Sequence, residues 1–255
     1  MKIRIPVMVA GLALGGALLM SSVSVAAAVT TPAGPSGKGV CSTQATTLKA
    51  GGSVDSLRAF GDCEIARRMT TLTSLAGKIS ASKALTPADA TALTGEVSAT
   101  KAGLTSLKAT IDSETDIAAL KADVAGIATQ FRVYLLVVPQ VNLVSAADGI
   151  VGAQTRFADV NTKLAARIAT DKAAGKDTTA AQTALDAMNA AATKAVGLAQ
   201  PVPAELLPLT PAQYDGGTAG PIITGARTAL GQARDQMKAA IADAKACRDA
   251  LKALK

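Results

Sequence analysis

Apolar residues recur every three or four positions over most of this 255-residue chain. That spacing places them on one face of an α-helix, whereas no segment shows the two-residue alternation of a β-strand. The pattern runs without a break from Ile223 to Leu254. We therefore predict an all-α fold without a sheet, an elongated up-and-down antiparallel bundle of about five or six long helices. The first clear apolar face consists of Ile65, Met69, Leu72, Ala76 and Ile79.

Turn-forming residues divide the chain into three regions. Residues 1–28 form a separate leading segment, and residues 29–52 are rich in Thr, Gly, Pro and Ser and predict a flexible lead. Residues 53–255 carry the helical pattern and predict the bundle. Inside that bundle, residues 200–220 combine several prolines with a glycine pair and predict one long loop. We also expect Pro139 to break or kink its helix, because proline lacks the backbone N–H.

One helix start is marked by three residues in the order that helix capping favours. Thr86 is suited to the N-cap position, and Pro87 to the first helical position. Asp89 follows, where a negative charge meets the positive end of the helix dipole. A helix is therefore predicted to begin at Pro87.

The first 28 residues have the organisation of a secretory signal peptide. Lys2 and Arg4 form a short positive region, residues 5–20 are apolar, and residues 24–28 supply small side chains for peptidase cleavage. The alternative is an uncleaved membrane anchor, because the apolar character extends to about residue 29 and is long enough to span a bilayer. In either case the bundle is expected to be extracytoplasmic, either secreted or associated with the cell envelope.

Composition excludes several kinds of catalytic and metal sites. The chain has no His and no Trp, and only 2% of its residues are aromatic. Histidine-based catalytic triads and histidine-ligated zinc or haem are therefore excluded. Three cysteines are too few for a four-cysteine zinc or iron–sulfur site within one chain. We predict a protein without a cofactor or bound metal, and not an enzyme.

The net charge of +7 is mild and is spread along the helices. Basic residues alternate with acidic ones, as at Asp235 and Lys238, which is typical of solvated helix faces with local ion pairs. Nucleic-acid binding needs clustered Lys and Arg with stacking aromatic residues, and this pattern is missing. The positive charge favours anionic cell-envelope polymers as partners.

The three cysteines allow more than one disulfide pairing. Cys63 lies near the start of the first long helix and Cys247 near the end of the last, so antiparallel neighbours would place them at similar heights. We expect the Cys63–Cys247 pairing, which closes a long loop. The competing pairing, Cys41–Cys63, would fasten the flexible lead to the bundle, and a third possibility is that neither bond forms. Cys247 also fits a small apolar core position.

The segment around Pro139 is the candidate ligand-binding region. Polar residues interrupt a strongly apolar stretch there, and a kinked helix frees backbone carbonyls that, with these side chains, can receive a small molecule or an ion. The structural alternative is that they satisfy the freed backbone groups or face the rim of the bundle. The candidate contact residues are Arg132, Tyr134, Gln140, Asn142 and Asp148.

Three segments resemble a pattern in uncharacterised exported all-helical proteins of bacteria, mainly of high-GC Gram-positives. The segments are RRMTTL (residues 67–72), SKALTPAD (residues 82–89) and FRVYLLVVPQ (residues 131–140). The resemblance spans most of the chain after the leading segment. It implies an exported, coiled-coil-like helical fold and transfers no activity and no functional residue.

These observations favour a non-catalytic exported protein of the cell envelope or the extracellular space. We expect it to act as a structural spacer, a scaffold or an interaction module. A small-molecule or ion carrier with its site near Pro139 is the alternative, and a hydrolase is a distant third. The partner is expected to be a cell-envelope polymer or protein, with no nucleic acid and with membrane contact only through an uncleaved leading segment.

Overall fold

Helices account for nearly all of the chain between residues 40 and 254, the part that the computed structural model describes. No β-strand occurs between these residues, so the all-α prediction is confirmed. The α-helices are α1 (Ser42–Ala50), α2 (Val54–Ala81), α3 (Pro87–Ser113), α4 (Ile117–Thr129), α5 (Val138–Ala173), α6 (Thr179–Ala199), α7 (Val202–Leu206), α8 (Pro211–Asp215) and α9 (Ala219–Ala253). A π-helical turn, Val133–Val137, joins α4 to α5. The predicted signal peptide and residues 29–39 of the predicted lead lie outside the described residues.

Side-chain caps fix where several helices begin. The predicted start of α3 is confirmed, because the Thr86 hydroxyl accepts a hydrogen bond from the Asp89 N–H at 3.2 Å and Pro87 begins the helix. Ser53 caps α2 in the same way, through the N–H of Ser56. Asp116 caps α4 by accepting from the first-turn N–H groups. Each cap satisfies backbone donors that have no partner within the helix.

Short connections make consecutive long helices antiparallel neighbours. Arg58, near the start of α2, donates to the carbonyl oxygen of Glu114 just beyond the end of α3, at 2.8 Å. Lys108 on α3 donates to Asp62 on α2, at 2.6 Å. An up-and-down arrangement of α2 and α3 follows.

The buried side chains form two clusters along the molecule. The larger core is built by α2, α3, α4, the π-helical turn and the first half of α5, together with the end of α6, α7 and the first half of α9. The smaller core is built by the end of α5, the rest of α6 and the second half of α9. Because α5 and α9 run through both cores and each is roughly 50 Å long, they connect the two parts.

The helix break lies at Arg132 and not at Pro139. Arg132 has left-handed backbone angles, with φ of 42° and ψ of 35°, and the π-helical turn follows it directly. Pro139 lies in the first turn of α5, where it causes no break. In a regular α-helix its ring would clash with the carbonyl four residues earlier, and the wider π-helical turn at that point accommodates it.

The Pro/Gly-rich segment at residues 200–220 is more ordered than the predicted loop. It contains α7 and α8, and Leu206 and Leu209 are buried in the larger core. Gln140 on α5 donates from Nε2 to the carbonyl oxygens of both leucines, at 2.9 and 3.1 Å. These bonds fasten the segment to α5, so the prediction of a single long loop is wrong.

The predicted disulfide between Cys63 and Cys247 is also wrong, because Cys63 pairs with Cys41. Cys247 is a free thiol, completely buried in the smaller core, whereas α2 packs in the larger one. The two cysteines therefore lie in different parts of the bundle. Burial raises the pKa of the Cys247 thiol, which disfavours the reactive thiolate.

The predicted flexible lead is helical over part of its length. Ser42–Ala50 forms α1, which the disulfide joins to α2 through the residue just before it. None of the nine residues of α1 is buried. An isolated helix of this length is only marginally stable in water. We therefore attribute the position of α1 beside α2 to the disulfide.

One stretch of the described chain, Ile117–Ala173, is long and apolar enough by length and composition to cross a membrane. Its most apolar window has a mean hydropathy of 1.5, and 61% of that window is buried inside the bundle. Buried core helices share this composition. We therefore attribute the apolar character of this stretch to its place in the core.

Candidate functional site

The five residues predicted around Pro139 do not converge on one site. They follow one another along the π-helical turn and α5, and they contact different neighbours. Gln140 is 1% exposed and holds the α7 segment, while Asn142 is half-buried. The apolar residues between them are core positions: Leu136, Val137, Val138, Val141, Leu143 and Val144.

Arg132 joins the start of the π-helical turn to α8. Its guanidinium forms an ion pair with Asp215 and lies 5.6 Å from the centre of the Tyr214 ring. Cation–π contact and charge pairing both favour this position. Together with Gln140, Arg132 fastens the segment between α6 and α9 from two sides.

Asp148 lies at the point where α5 passes the start of α3. Its Oδ2 accepts a hydrogen bond from the Thr86 N–H at 2.8 Å, and the side chain is buried. Burial raises the pKa of Asp148, and neighbouring Asp89 adds to the rise, against the opposing hydrogen bond from Thr86. This contact joins α5 to the turn before α3 and gives Asp148 a structural role.

Of the five predicted contact residues, Tyr134 lies in a cluster of charged side chains. The guanidinium carbon of Arg67 is 4.6 Å from the centre of the Tyr134 ring, and that of Arg68 is 5.4 Å from it. The Tyr134 hydroxyl lies 3.4 Å from that of Thr71. Both arginines approach from α2, so the ring packs between the π-helical turn and α2.

A single carboxylate, Glu64, neutralises part of this arginine charge. Its Oε2 accepts from Arg67 at 2.6 Å and from Arg68 at 2.5 Å. Burial alone would raise the pKa of Glu64, but the hydrogen bonds and charges of the two arginines outweigh burial and hold the pKa below its ordinary value. Glu64 is therefore ionised at neutral pH, and the three groups together carry one net positive charge. We name Glu64, Arg67, Arg68 and Tyr134 the arginine cluster.

A cleft adjoins the arginine cluster where α1 meets α2. It has a volume of about 270 Å³. Its lining combines the first turn of α1, the disulfide and one face of α2, and consists of Val40, Cys41, Ser42, Ala45, Phe60, Glu64 and Arg67. The cleft therefore has both apolar and charged walls.

Sequence reasoning missed this site although part of its signal was present. Glu64, Arg67 and Arg68 are three and four positions apart, the spacing of ion pairs within one helix. This spacing predicts an ion pair on the surface of α2, but it does not predict a neighbouring cleft. Tyr134 joins the cluster only through packing with Arg68, which lies 66 positions earlier in the chain, and α1 joins it only through the disulfide. Of the two disulfide pairings that the sequence allows for Cys63, only Cys41–Cys63 predicts that the residues around Cys41 lie beside α2.

Acidic residues at the end of α3 and in the turn before α4 bond to neighbouring groups. Glu114 accepts from the N–H groups of Thr115 and Asp116, both at 2.7 Å, while Asp112 pairs with Lys108. Between residues 40 and 254 no group of three or more Cys, Asp or Glu side chains is placed to hold a metal ion. In the arginine cluster, both guanidinium groups pair with the Glu64 carboxylate and lie against the Tyr134 ring.

Comparison of the chain with protein-family models, with curated proteins and with solved structures gave no match.

Proposed function

We propose that this protein is an exported, non-catalytic helical bundle that acts at the cell envelope or outside the cell. The observation that carries this proposal is the Cys41–Cys63 disulfide. Structural disulfides persist in oxidising compartments outside the cytoplasm. The leading segment, with its positive and apolar regions, supports export by the secretory route.

The proposed role is that of a spacer or an interaction module, and the architecture supports it. Two cores follow one another along α5 and α9, each roughly 50 Å long. Such a shape holds its ends apart and offers long helix faces to a partner. The positive net charge of the chain favours an anionic envelope polymer as that partner.

Intact mass measured without reductant tests the proposed export. The native protein is purified separately from culture fluid, envelope and cytoplasm of the producing cells. We expect a chain without residues 1–28, lighter by about 2 Da than after reduction because one disulfide has formed. A full-length oxidised chain confined to the envelope would favour the membrane anchor instead. A full-length reduced chain in the cytoplasm would contradict export.

Sedimentation with isolated envelopes tests the proposed interaction. We expect the oxidised protein to sediment with envelopes at low ionic strength and to be released by added salt, because salt screens charge pairing. A sample of the same protein without envelopes controls for self-association. If the protein stays in the supernatant at every salt concentration, the role in binding envelope polymers is rejected.

A further inference from the structure

The basic residues of α9 all lie on one face of this helix. They follow one another at intervals of three, four or seven positions, which places them on the same side of an α-helix. From the first to the last, they extend over roughly 37 Å along the helix axis. We name this surface the basic face of α9, and its residues are Arg227, Arg234, Lys238, Lys245, Arg248 and Lys252.

Positive charge is in excess on this face, because the helix separates it from most of the negative charge of α9. Asp243 lies on the far side of the helix. Asp235 pairs with Lys238 at 3.0 Å and Asp249 pairs with Arg248 at 3.3 Å, both from beside the face. The other four basic residues of the face form no ion pair with any residue between 40 and 254.

The basic face is exposed along its length. Arg234 and Arg248 are half-buried, the other four basic residues are exposed, and the Lys238 side chain is 77% exposed. The buried residues of α9 point into the two cores and lie on another side of the helix. The bundle therefore folds without using this face, which is free to meet a partner.

A linear anion fits this face better than a membrane or a nucleic acid does. Cations in single file match a chain that carries negative charge at regular intervals. Insertion into a membrane requires a broad apolar face beside the basic one, but Ile241 is the only large apolar side chain that α9 exposes. Single-stranded nucleic acids stack on aromatic side chains, and α9 has none.

We propose that the basic face of α9 binds a linear envelope polymer with one phosphodiester in each repeat unit. A lysine ammonium pairs with a phosphate as a point charge, and an arginine fork binds two of its oxygens. Because α9 runs through both cores, the packing of the bundle holds these cations in line. This inference rests on the proposed function, which names an anionic envelope polymer as partner, and it assigns the site and the charged group of that polymer.

Titration of the native, oxidised protein into labelled poly(glycerol phosphate) tests the proposal. Fluorescence anisotropy measures the affinity at several salt concentrations. We expect the logarithm of the affinity to fall linearly with that of the salt concentration, with a slope of roughly −2 to −4, because several phosphates lose their counterions. Dextran of the same length has no charge and is expected not to bind.

Two double variants separate this face from the net charge of the chain. Lys245→Gln with Lys252→Gln removes two exposed cations of the basic face, whereas Lys78→Gln with Lys121→Gln removes the same charge from exposed positions of α2 and α4. We expect the first pair to weaken polymer binding about tenfold and to make the salt slope shallower by about 1.4, the effect of two lost phosphate contacts. The second pair is expected to change the affinity less than about twofold.

Vesicles that contain an anionic phospholipid test the competing membrane interaction. Ile241→Ser removes the exposed apolar side chain and keeps every cation of the face. We expect this variant to bind poly(glycerol phosphate) as the parent chain does. If the parent chain binds the vesicles more tightly than the polymer and Ile241→Ser weakens that binding, the face docks on a membrane and the proposal is overturned.

Failure of this inference is distinguishable from failure of the proposed function. If both double variants bind the polymer equally, the basic face is not the site. If the protein sediments with isolated envelopes but does not bind poly(glycerol phosphate), the phosphodiester polymer is rejected and the envelope role stands. Binding to the polymer that depends on Lys245 and Lys252, without sedimentation with envelopes, would support the site and reject the role.

Discussion

Gly103 on α3 shows how closely single residues pack in the larger core. A Cβ atom at this position would lie 3.0 Å from Cζ of Phe131 and closer still to its Cε1. We expect Gly103→Ala to lower the free energy of unfolding by about 1 to 3 kcal/mol, because the ring of Phe131 must move. Urea denaturation measures this change.

Gly95, on the same helix, is the matched control for that substitution. A Cβ atom there meets nothing within 4 Å, and alanine lowers the chain entropy that folding must overcome. Gly95→Ala is therefore expected to raise the free energy of unfolding by about 0.5 to 1 kcal/mol. If the two substitutions change the free energy of unfolding in the same direction, the close approach of Phe131 is not the cause.

The buried Asp148 carboxyl is expected to make the free energy of unfolding depend on pH. Because its pKa is raised in the folded protein by burial and by Asp89, the folded state holds this proton more tightly than the unfolded state does. The stability contributed by Asp148 is therefore fully present below its ordinary pKa of 3.8 and is lost as the pH rises through the folded value. Asparagine does not ionise, and its oxygen still accepts from the Thr86 N–H.

The expected outcome is that Asp148→Asn gains stability relative to the parent chain as the pH rises from about 4 to about 7. Urea denaturation at both pH values measures the difference between the two chains, in which the titration of all other groups cancels. Asp159→Asn, at an exposed position of α5, controls for the loss of one surface carboxylate. If the stability of Asp148→Asn relative to the parent chain falls as the pH rises, then burial does not raise the pKa of the Asp148 carboxyl.

At the scale of single elements, the disulfide is expected to control α1. Because no residue of α1 is buried, reduction of the Cys41–Cys63 bond should release this helix while α2 to α9 stay folded. Hydrogen exchange followed by mass spectrometry should show fast exchange of the α1 amides after reduction. The free energy of unfolding should fall by up to about 3 kcal/mol, the chain-entropy value for a short loop of this size.

Cys247 makes this experiment simple to interpret. It is already a free thiol, so a reductant changes one bond in the three-cysteine chain. Cys41→Ser with Cys63→Ser should reproduce the effect without any reductant. If the α1 amides keep their protection in both cases, α1 is held by packing and not by the disulfide.

The sequence predicts those elements whose signals are local. Thr86, Pro87 and Asp89 specify the start of α3 because a cap bonds only to residues of its own first turn. The break at Arg132 could not be predicted in the same way. Left-handed backbone angles usually belong to glycine or asparagine, and here an arginine adopts them while its guanidinium pairs with Asp215 on α8, far along the chain.

The cysteine pairing and the arginine cluster were not predictable for a related reason. Apolar spacing tells which face of a helix is buried, but not which helix ends lie side by side. Cys63 and Cys247 occupy suitable positions on their own helices, yet their helices pack in different cores. Tyr134 is predicted as a possible ligand contact near Pro139, whereas its contacts with Arg67 and Arg68 depend on how α2 crosses the π-helical turn.

At the scale of the whole molecule, the two cores differ in the size of their side chains. Four of the nine buried residues of the smaller core are alanines, whereas the larger core is dominated by leucine, isoleucine and valine. Hydrophobic stabilisation is proportional to the apolar area removed from water, about 25 cal/mol per Å². Alanine contributes little area, so each residue of the smaller core stabilises its part of the bundle less.

We therefore expect the end of the bundle that holds the smaller core to open before the rest. Native-state hydrogen exchange should show lower protection for residues 181–192 of α6 and for α9 beyond Ala240 than for α2 and α3. Met188→Ala, in the centre of the smaller core, should lower protection of that end by about 2 to 5 kcal/mol and leave α2 and α3 unchanged. Leu93→Ala, in the larger core, is the control and should act on α2 and α3. If either substitution lowers protection equally along the whole chain, then α5 and α9 couple the two cores into one cooperative unit, and the bundle behaves as a rigid rod with no weaker end.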